Sequence, residues 1–221
     1  GVDWSVYDSS NSNFSSNQVE LLAFDASGRL YVVAGGDYYT QGFGEFQKSS
    51  LLSAMLPPHG IESMVFDCDG IPWIGLQNGT IARTIPMHQW GWLRYDTDNT
   101  CLPQEPIRAL AVDDDCSIWA ASEGGGLAHY DAETWTVYDT SNSMLPSNMI
   151  SAIVIDSNGD YWVGTDSGLV HFDGDNWAAY DQDDLILPGN YITHITLDPN
   201  GPVWVAYFDS ISEYLGRIQL D

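Results

Sequence analysis

One frame of residues recurs five times along the 221-residue chain, with no insertion inside any copy. Counting its first aromatic as frame position 0, each copy has leucine or phenylalanine at position 10, aspartate at position 21 and a second aromatic at position 27. The first aromatics are Trp4, Phe46, Trp92, Trp135 and Trp177. The aspartates are Asp25, Asp67, Asp113, Asp156 and Asp198. The second aromatics are Tyr31, Trp73, Trp119, Trp162 and Trp204. Because each copy presents the same apolar pattern, the chain must fold as a row of similar units.

Length varies only between the frames. The second aromatic is followed by the next first aromatic after 15, 19, 16 and 15 residues. A repeat of about 40–45 residues, punctuated by Trp, Gly and Asp, is typical of β-propeller blades. The spacing therefore predicts a propeller of five blades.

Four antiparallel strands, named a to d in chain order, are predicted in each copy. Strand a is the apolar run that ends at the frame aspartate, as in 150–156, and strand b carries the second aromatic. An Asp-x-x-Gly turn joins them, since aspartate accepts hydrogen bonds from the backbone after it and glycine tolerates positive φ. Strand c is exemplified by 168–172, and strand d starts at the first aromatic, as in 135–138. Four such strands make one blade.

The order of the strands predicts how the ring closes. The sequence starts on a strand d, residues 4–7, and finishes on a strand c, residues 214–220. The last blade then lacks a strand d, which the N-terminal strand would supply, and this pairing would remove the exposed sheet edges. We expect a single all-β domain over 1–221, a closed five-bladed propeller with four antiparallel strands per blade.

Composition excludes several classes of protein. The formal net charge is −25, from 31 acidic and 6 basic residues, so the chain has no basic footprint for nucleic acid. No apolar run approaches the roughly 18 residues of a membrane helix, so no membrane insertion is expected. With 44% hydrophobic residues, the chain has the material for a packed core rather than a disordered segment.

The frame resembles the two-component regulator propeller repeat. The fourth copy carries the resemblance through Leu145-Pro146-Ser147-Asn148, Asp156, Asn158-Gly159, Trp162-Val163-Gly164-Thr165 and Gly168-Leu169. Members of that family typically form the periplasmic sensor halves of hybrid histidine kinases and are associated with sensing oligosaccharides. The resemblance implies a propeller that recognises a ligand outside the cytoplasm, in an extracellular or periplasmic setting.

Residues that the frame does not explain are the candidates for function. Unframed aromatics cluster in or beside the b–c connections of blades one and five, which become neighbours in a closed ring: Tyr38, Tyr39, Phe43, Tyr207 and Phe208. The d–a connections, on the same face, add His59, Glu105, Asn148, Asn190 and Tyr191. Aromatic faces beside planar polar groups suit a carbohydrate or similar polar ligand. The alternative is that these aromatics only cover the mouth of the ring.

Frame position 16, near the start of strand a, holds a set of mostly polar residues: Glu20, Glu62, Arg108, Ser151 and Thr193. Alternation along a strand would point them together, either into the channel or at a neighbouring blade. In the channel they would hold a cation, a water molecule or the polar end of a ligand, or form an internal ion pair. Two glutamates in a cavity would also serve a glycosidase or lyase as acid and base.

Metal and cysteine chemistry is weakly indicated. Pairs of aspartates in predicted turns, such as Asp67 with Asp69, offer oxygens to calcium but lack the twelve-residue calcium-loop pattern. No cofactor is therefore expected, with calcium as the alternative. Cys68 and Cys116 fall in a–b turns of neighbouring blades, where a disulfide is possible, whereas Cys101 lies near the opposite face and is expected to stay unpaired.

These observations predict a non-enzymatic recognition propeller that binds a carbohydrate or similar small polar ligand on the face of the b–c and d–a connections. The alternatives are a structural or protein-interaction subunit and, third, a lyase or glycosidase. No catalytic residue and no metal ligand is assigned. The predicted ligand-binding residues are Tyr38, Tyr39, Tyr207, Phe208, Tyr191, Asn190, His59, Glu20, Glu62 and Arg108.

Overall fold

The computed structural model describes residues 5–42, 45–49, 60–85, 91–181, 189–198, 202–208 and 213–218. These residues form nineteen strands in five antiparallel sheets, which confirms the predicted all-β, five-bladed propeller architecture. Within each sheet the spatial order follows the chain order, so every blade is a simple meander. None of the residues in these ranges forms a helix long and apolar enough to cross a membrane.

The strands are numbered in chain order. Blade one contains β1 Val19–Phe24, β2 Leu30–Ala34, β3 Asp37–Gly42 and β4 Glu45–Lys48. Blade two contains β5 Ile61–Phe66, β6 Pro72–Leu76, β7 Ile81–Thr84 and β8 Trp92–Tyr95. Blade three contains β9 Ile107–Val112, β10 Ile118–Ser122, β11 Gly126–Tyr130 and β12 Trp135–Tyr138. Blade four contains β13 Ile150–Ile155, β14 Tyr161–Thr165, β15 Gly168–Phe172 and β16 Trp177–Tyr180. Blade five contains β17 Tyr191–Leu197, β18 Val203–Phe208 and β19 Glu213–Ile218.

A hydrogen bond explains why the aspartate and the second aromatic of the frame are always six residues apart. In blade two, Trp73 Nε1 donates to Asp67 Oδ2 at 2.9 Å across a separation of six residues. The other carboxylate oxygen of Asp67 accepts the backbone N–H groups of Asp69 and Ile71 and so builds the turn. The bond recurs from Tyr31 to Asp25 at 3.0 Å, from Trp119 to Asp113 at 3.1 Å and from Trp162 to Asp156 at 3.3 Å. One carboxylate thus fixes both a hairpin turn and the aromatic ring behind it.

Successive blades pack through one recurring apolar pair, which joins strand c of a blade to strand a of the next. The pairs, each within a single hydrophobic cluster, are Tyr38 with Met64, Ile81 with Leu110, Leu127 with Ile153, and Leu169 with Ile195. The strand-c members are all 0% exposed, and the strand-a members are 7%, 8%, 5% and 9% exposed. Burial of these side chains, each worth about 1.5–3 kcal/mol, holds one blade to the next.

In blades two and four, a glycine two residues after the second aromatic makes room for the following blade. A Cβ atom at Gly164 would lie 2.7 Å from Cγ2 of Ile192, and one at Gly75 would lie 2.5 Å from Cγ2 of Ile107. Both isoleucines lie at frame position 15, near the start of strand a in the next blade, and are fully buried. In these two blades the W-x-G sequence therefore serves the packing of one blade on the next.

A disulfide joins the a–b turns of blades two and three. Cys68 and Cys116 are bonded, with their Cα atoms 5.6 Å apart, and Cys101 is a free, exposed cysteine. Cys116 has φ 65°, at the turn position that Gly28, Gly70 and Gly159 fill with similar positive φ values in other blades. A residue with a side chain costs about 1–2 kcal/mol in this left-handed region, whereas glycine adopts it without that cost. The backbone of the turn therefore favours glycine over cysteine at position 116.

The ring closure predicted through residues 4–7 stays a prediction, because several of the segments that would form it lie outside the described residues. Residues 5–8, which include most of the predicted closing strand, form no strand, and Trp4 lies outside the described residues. In the described part of blade five only β17, β18 and β19 pair. Tyr7 instead packs edge-on against Phe46 of blade one, with 5.2 Å between the ring centroids, so blade one holds this segment. The first strands of successive blades, from β1 to β17, pack on each other.

We expect Asp67→Ala to lower the free energy of unfolding by about 2 kcal/mol, because it leaves the indole N–H of the buried Trp73 without its acceptor. Denaturant unfolding followed by tryptophan fluorescence measures the change. The exposed Asp69, in the same turn, is the matched control, and Asp69→Ala should stay within about 0.5 kcal/mol of the parent. Equal losses in the two variants would contradict the role assigned to the hydrogen bond.

Two substitutions at Cys116 separate the disulfide from the backbone conformation. Cys116→Ser should cost about 2–4 kcal/mol, because it opens a loop with a sequence separation of 48 residues. Cys116→Gly opens the same loop but suits φ 65°, so it should be about 1 kcal/mol more stable than Cys116→Ser. Chemical denaturation under non-reducing conditions gives both values, with Cys101→Ser as the neutral control. A glycine variant no more stable than the serine variant would show that the turn is not strained.

Candidate ligand-binding cavity

The d–a and b–c connections meet on one face of the propeller, as the sequence predicts. In blade three the backbone N–H groups of Gly124 and Gly126 both donate to Asn148 O at 3.0 Å. In blade two Gln77 N donates to Gly60 O at 2.9 Å. These bonds tie the b–c turn of a blade to a d–a connection, so residues from both kinds of loop are held close together beside the strand a ends.

A cavity of about 310 Å³ opens on this face, on the inner side of blades three to five. Its walls combine the start of β13 and of β17 with one side chain from β9 and one from the turn after β10. The lining residues are Arg108, Glu123, Met149, Ile150, Ser151, Tyr191, Thr193 and His194. We call it the inner cavity. Three residues of frame position 16, namely Arg108, Ser151 and Thr193, face it together, as strand alternation predicts.

Arg108 is fixed in the wall by carboxylates on both sides. Its Nη1 donates to Glu62 Oε2 at 2.8 Å, and its Nε and Nη2 both donate to Glu123 Oε2, the former at 2.6 Å. Burial works to lower the pKa of the Arg108 guanidinium, but the hydrogen bonds and charges of Glu123 and Glu62 outweigh it and raise that pKa. The arginine therefore stays charged and its planar group is held in one orientation.

The charge of this cluster decides which ligands it suits. One guanidinium faces two carboxylates, so the Arg108, Glu62 and Glu123 cluster carries a surplus of negative charge, within a chain of formal net charge −25. An anionic ligand would meet repulsion from both the cluster and the rest of the protein. A neutral ligand with hydroxyl groups has donors for the carboxylates and acceptors for the guanidinium.

Apolar surface completes the cavity. Tyr191 is 44% exposed and Met149 is 39% exposed, large values for apolar side chains in a wall. Beside them, Ser151 Oγ donates to the backbone oxygen of Ile192, and Thr193 Oγ1 donates to Ala206 O at 3.2 Å. Hydroxyl groups both donate and accept hydrogen bonds. The ring of Tyr191 and the thioether of Met149 offer apolar contact area, and the polar groups beside them offer hydrogen bonds of fixed direction.

Three of the predicted aromatic site residues turn out to belong to the core. Tyr38 and Tyr39 lie on strand β3 rather than in a connection, and both are 0% exposed. The Tyr38 hydroxyl contacts Met64 Sδ at 3.4 Å between blades one and two, where burial raises its pKa. The Tyr39 ring packs on Phe14 at 4.9 Å. Tyr207 lies on β18 and is 6% exposed. Core packing within and between blades covers these rings, so we correct their placement on the open face.

The other predicted residues are divided between the inner cavity and its surroundings. Tyr191 and Arg108 line the cavity, and Glu62 supports it by binding Arg108. Phe208 is opposite Tyr191 in the β17–β18 pairing and is 40% exposed, but it does not line the cavity. Glu20 accepts a hydrogen bond from Gly36 N at 3.2 Å in blade one, away from the cavity wall.

Two predicted residues remain. Asn190 precedes Tyr191 at the entrance to β17 and is partly buried. His59 lies outside the described residues.

Sequence reasoning missed Glu123, Met149 and His194, all of which line the cavity. Glu123 lies in a b–c turn, one of the connections that the sequence predicts to form the binding face. Only the aromatic residues of the b–c connections were taken as candidates, so this carboxylate was missed. Met149 directly precedes β13, and His194 follows Thr193 on β17. Neither residue lies at frame position 16 or among the unframed aromatic residues, the two features from which the sequence predicts function. A search for every polar residue next to frame position 16 would have found His194.

Carboxylates in the turns are engaged by the backbone. Asp173 accepts hydrogen bonds from the backbone N–H groups of Asn176 and Asp175, and these bonds hold its pKa at about 2. Among the residues that the structure describes, no three carboxylate, imidazole or thiol groups converge as a metal site would require. The turn aspartates thus have a structural task in the hairpins.

Comparison with known proteins supports the fold and the repeat. A family profile described as two component regulator propeller matches residues 144–167, within the fourth copy of the frame, which confirms the resemblance. No curated protein sequence matches the chain.

Solved structures with the same fold include sensors, an enzyme and a peptide complex. The extracellular domain of a putative hybrid two component system from B. thetaiotaomicron is 19% identical, with a TM-score of 0.66 over 85% of this chain and 26% of that one. Virginiamycin B lyase from Staphylococcus aureus, solved with quinupristin, is 11% identical, with a TM-score of 0.68 over 93% of this chain and 71% of the lyase. YCF48 bound to D1 peptide is 16% identical, with a TM-score of 0.63 over 92% of this chain and 64% of YCF48. At these identities the likeness establishes the fold, and the chain spans about a quarter of the sensor domain's length.

Replacing Arg108 by lysine tests the fixed ion cluster. Lysine keeps the charge but cannot donate to two carboxylates from one rigid plane, so Arg108→Lys should lower the free energy of unfolding by up to about 1 kcal/mol. The loss should shrink as salt is raised, because the side chain is 37% exposed and the ions are screened. Denaturant unfolding at low and high salt measures it, with the exposed Arg94→Lys as control. A loss that salt leaves unchanged would point to packing of the arginine stem instead.

Proposed function

We propose that this propeller is a recognition domain that binds a neutral, hydroxyl-rich ligand, a carbohydrate, in the inner cavity. The observation that carries the proposal is the junction of the exposed Tyr191 ring with the Arg108–Glu123 pair in one cavity of about 310 Å³. That volume is at the lower end of the range of about 300–1,000 Å³ for small-molecule sites. It suits one or two sugar units of a longer chain that continues along the face.

The chemistry of the wall supports a sugar more than an anion or a purely apolar compound. Sugar rings present a C–H face that packs on an aromatic ring, and Tyr191 offers such a ring. Their hydroxyl groups both donate and accept, which matches Glu123 beside Arg108. The orientation of the guanidinium is fixed before the ligand arrives, so little side-chain entropy is lost on binding.

The setting that we propose is outside the cytoplasm. The Cys68–Cys116 disulfide is a bond that persists in oxidising compartments such as the periplasm or the extracellular space. The sensor domain with the same fold is described as extracellular. Both observations support an extracellular or periplasmic domain, in line with the family resemblance.

A peptide is the second candidate ligand. Met144 is 62% exposed and Met149 is 39% exposed, and both lie in the d–a connection that leads into blade four. Flexible methionine side chains adapt to varied apolar partners, and YCF48, with the same fold, is solved with a peptide bound. A glycosidase has less support, because Glu123 is the only carboxylate on the described cavity wall, whereas that chemistry uses two.

Calorimetric titration with a panel of neutral oligosaccharides tests the proposal. We expect at least one sugar to bind, and Tyr191→Ala to weaken its affinity about tenfold, which corresponds to a lost stacking contact of roughly 1.4 kcal/mol. Phe208→Ala is the matched control, since that ring is opposite Tyr191 and similarly exposed but outside the cavity, and it should bind like the parent.

Two results would argue against the carbohydrate site. If both variants lose affinity equally, the ligand lies on the outer surface of blade five rather than in the cavity. The second result is that no sugar binds, whereas apolar peptides do and Met149→Ala abolishes their binding. In that case the ligand is a peptide rather than a carbohydrate.

A further inference from the structure

The b–c turn of blade three extends the wall of the inner cavity onto the open face. Glu123 directly follows β10, lines the inner cavity and is bridged to Met149 in an antiparallel pair. Residues directly opposite each other in such a pair point to the same side, so the carboxylate and the thioether stand next to each other in the wall. The next residue, Gly124, does not line the cavity. Gly124 therefore marks the rim, where the wall meets the open face.

Two d–a connections hold this turn in place. In the connection into blade three, Pro106 O accepts a hydrogen bond from Glu123 N at 2.9 Å. In the connection into blade four, Asn148 O accepts one from Gly124 N at 3.0 Å. The turn is thus hydrogen-bonded to both connections, and its position between them is fixed by the backbone before any ligand arrives.

The space above Gly124 is bordered by one side chain from each connection. A Cβ atom at Gly124 would lie 3.6 Å from Cγ of Glu105 and 3.7 Å from Sδ of Met149. Gly124 has φ +118°, which favours glycine, and a Cβ atom at Gly125 would lie 2.0 Å from Cγ of Pro103. The turn therefore needs glycine at both positions, and its surface stays free of side chains. We call the space bounded by Glu105, Gly124 and Met149 the outer groove.

The outer groove offers the same kinds of contact as the inner cavity. Met149 borders both spaces and is 39% exposed. Glu105 is exposed, and within the described ranges no residue forms a hydrogen bond or an ion pair with its carboxylate. That carboxylate can accept hydrogen bonds from ligand hydroxyl groups without giving up another partner. An apolar side chain beside a carboxylate is also what Tyr191 and Glu123 provide inside the cavity.

We propose that the ligand is a neutral oligosaccharide longer than the inner cavity, and that its chain leaves the cavity through the outer groove. This inference rests on the carbohydrate function proposed above and adds a length and a direction to it. A cavity of about 310 Å³ holds one or two sugar units, so the next unit lies outside it. In the outer groove that unit meets the carboxylate of Glu105 and the thioether of Met149. Glu105 is thus a residue that selects for chain length.

Charge restricts the chain to neutral sugars in the outer groove as well. Glu105 adds an unpaired negative charge beside a cavity whose Arg108, Glu62 and Glu123 cluster already carries a surplus of negative charge. A polysaccharide with acidic groups would be repelled along its whole path across this face. Hydroxyl groups, by contrast, donate hydrogen bonds to a carboxylate, and bonds to a charged acceptor are stronger than bonds between neutral groups.

Calorimetric titration with malto-, cello-, xylo- and manno-oligosaccharides, each as the disaccharide and the hexasaccharide, tests the outer groove. In the series that binds, the hexasaccharide should bind about tenfold more tightly than the disaccharide, and Glu105→Ala should weaken the hexasaccharide about fivefold, the loss of one hydrogen bond to a charged group. The same variant should leave the disaccharide affinity and the unfolding midpoint unchanged, since the side chain is exposed. Glu133→Ala is the matched control: this glutamate is also exposed but lies in the c–d turn, and its loss should change neither affinity.

The opposing outcomes separate the groove from the cavity. Equal affinity for the disaccharide and the hexasaccharide, with no effect of Glu105→Ala, would overturn the outer groove but leave the cavity, which Tyr191→Ala tests with the disaccharide. If Phe208→Ala rather than Glu105→Ala weakens the hexasaccharide, the chain leaves toward blade five and the assigned direction is wrong. If no disaccharide and no hexasaccharide binds, both the groove and the proposed carbohydrate function are overturned.

Discussion

The contact between strand c of one blade and strand a of the next is the interaction on which this protein depends. A single four-stranded blade has two apolar faces, and only a neighbouring blade covers each of them. The pairs that include Leu127 with Ile153 and Leu169 with Ile195 bury both partners and set the distance at which blades stand. Gly164 allows the Ile192 side chain to reach the sheet of blade four, so the contact is close as well as apolar.

The aspartate–aromatic hydrogen bond prepares each blade for this contact. Asp67 accepts the Trp73 indole N–H and two backbone N–H groups, so one carboxylate satisfies the turn and orients the large ring. Many of the chain's acidic side chains act in this way at the turns, as Asp173 also shows. Part of the strongly negative composition is thus structural, and the rest makes the surface repel anions and other copies of itself.

The candidate site arises where polar residues interrupt the same packing scheme. Arg108 stands near the start of strand a, a position that faces the centre of the propeller, and Glu62 of the preceding blade binds it. The turn after β10 brings Glu123 to its other side. Packing between blades therefore brings Glu62 to Arg108 across 46 residues of chain, whereas the hairpin of blade three brings Glu123 to it across 15 residues. The cavity forms between strands that the interblade contacts hold in place.

The sequence by itself determined the number of blades, the strand order, the Asp-x-x-Gly turns and the shared face of the b–c and d–a connections. These features follow from short-range spacing, since a hairpin turn and a hydrogen bond across six residues depend only on local geometry. It also selected Arg108, Glu62 and Tyr191, because side-chain alternation along a strand is fixed. Only the tertiary structure decided that Tyr38 and Tyr39 are covered by packing around blade one and that Glu123 reaches Arg108. Both outcomes depend on contacts between residues that lie far apart in the chain, such as Tyr39 with Phe14, and no local pattern of the sequence specifies which side chains meet there.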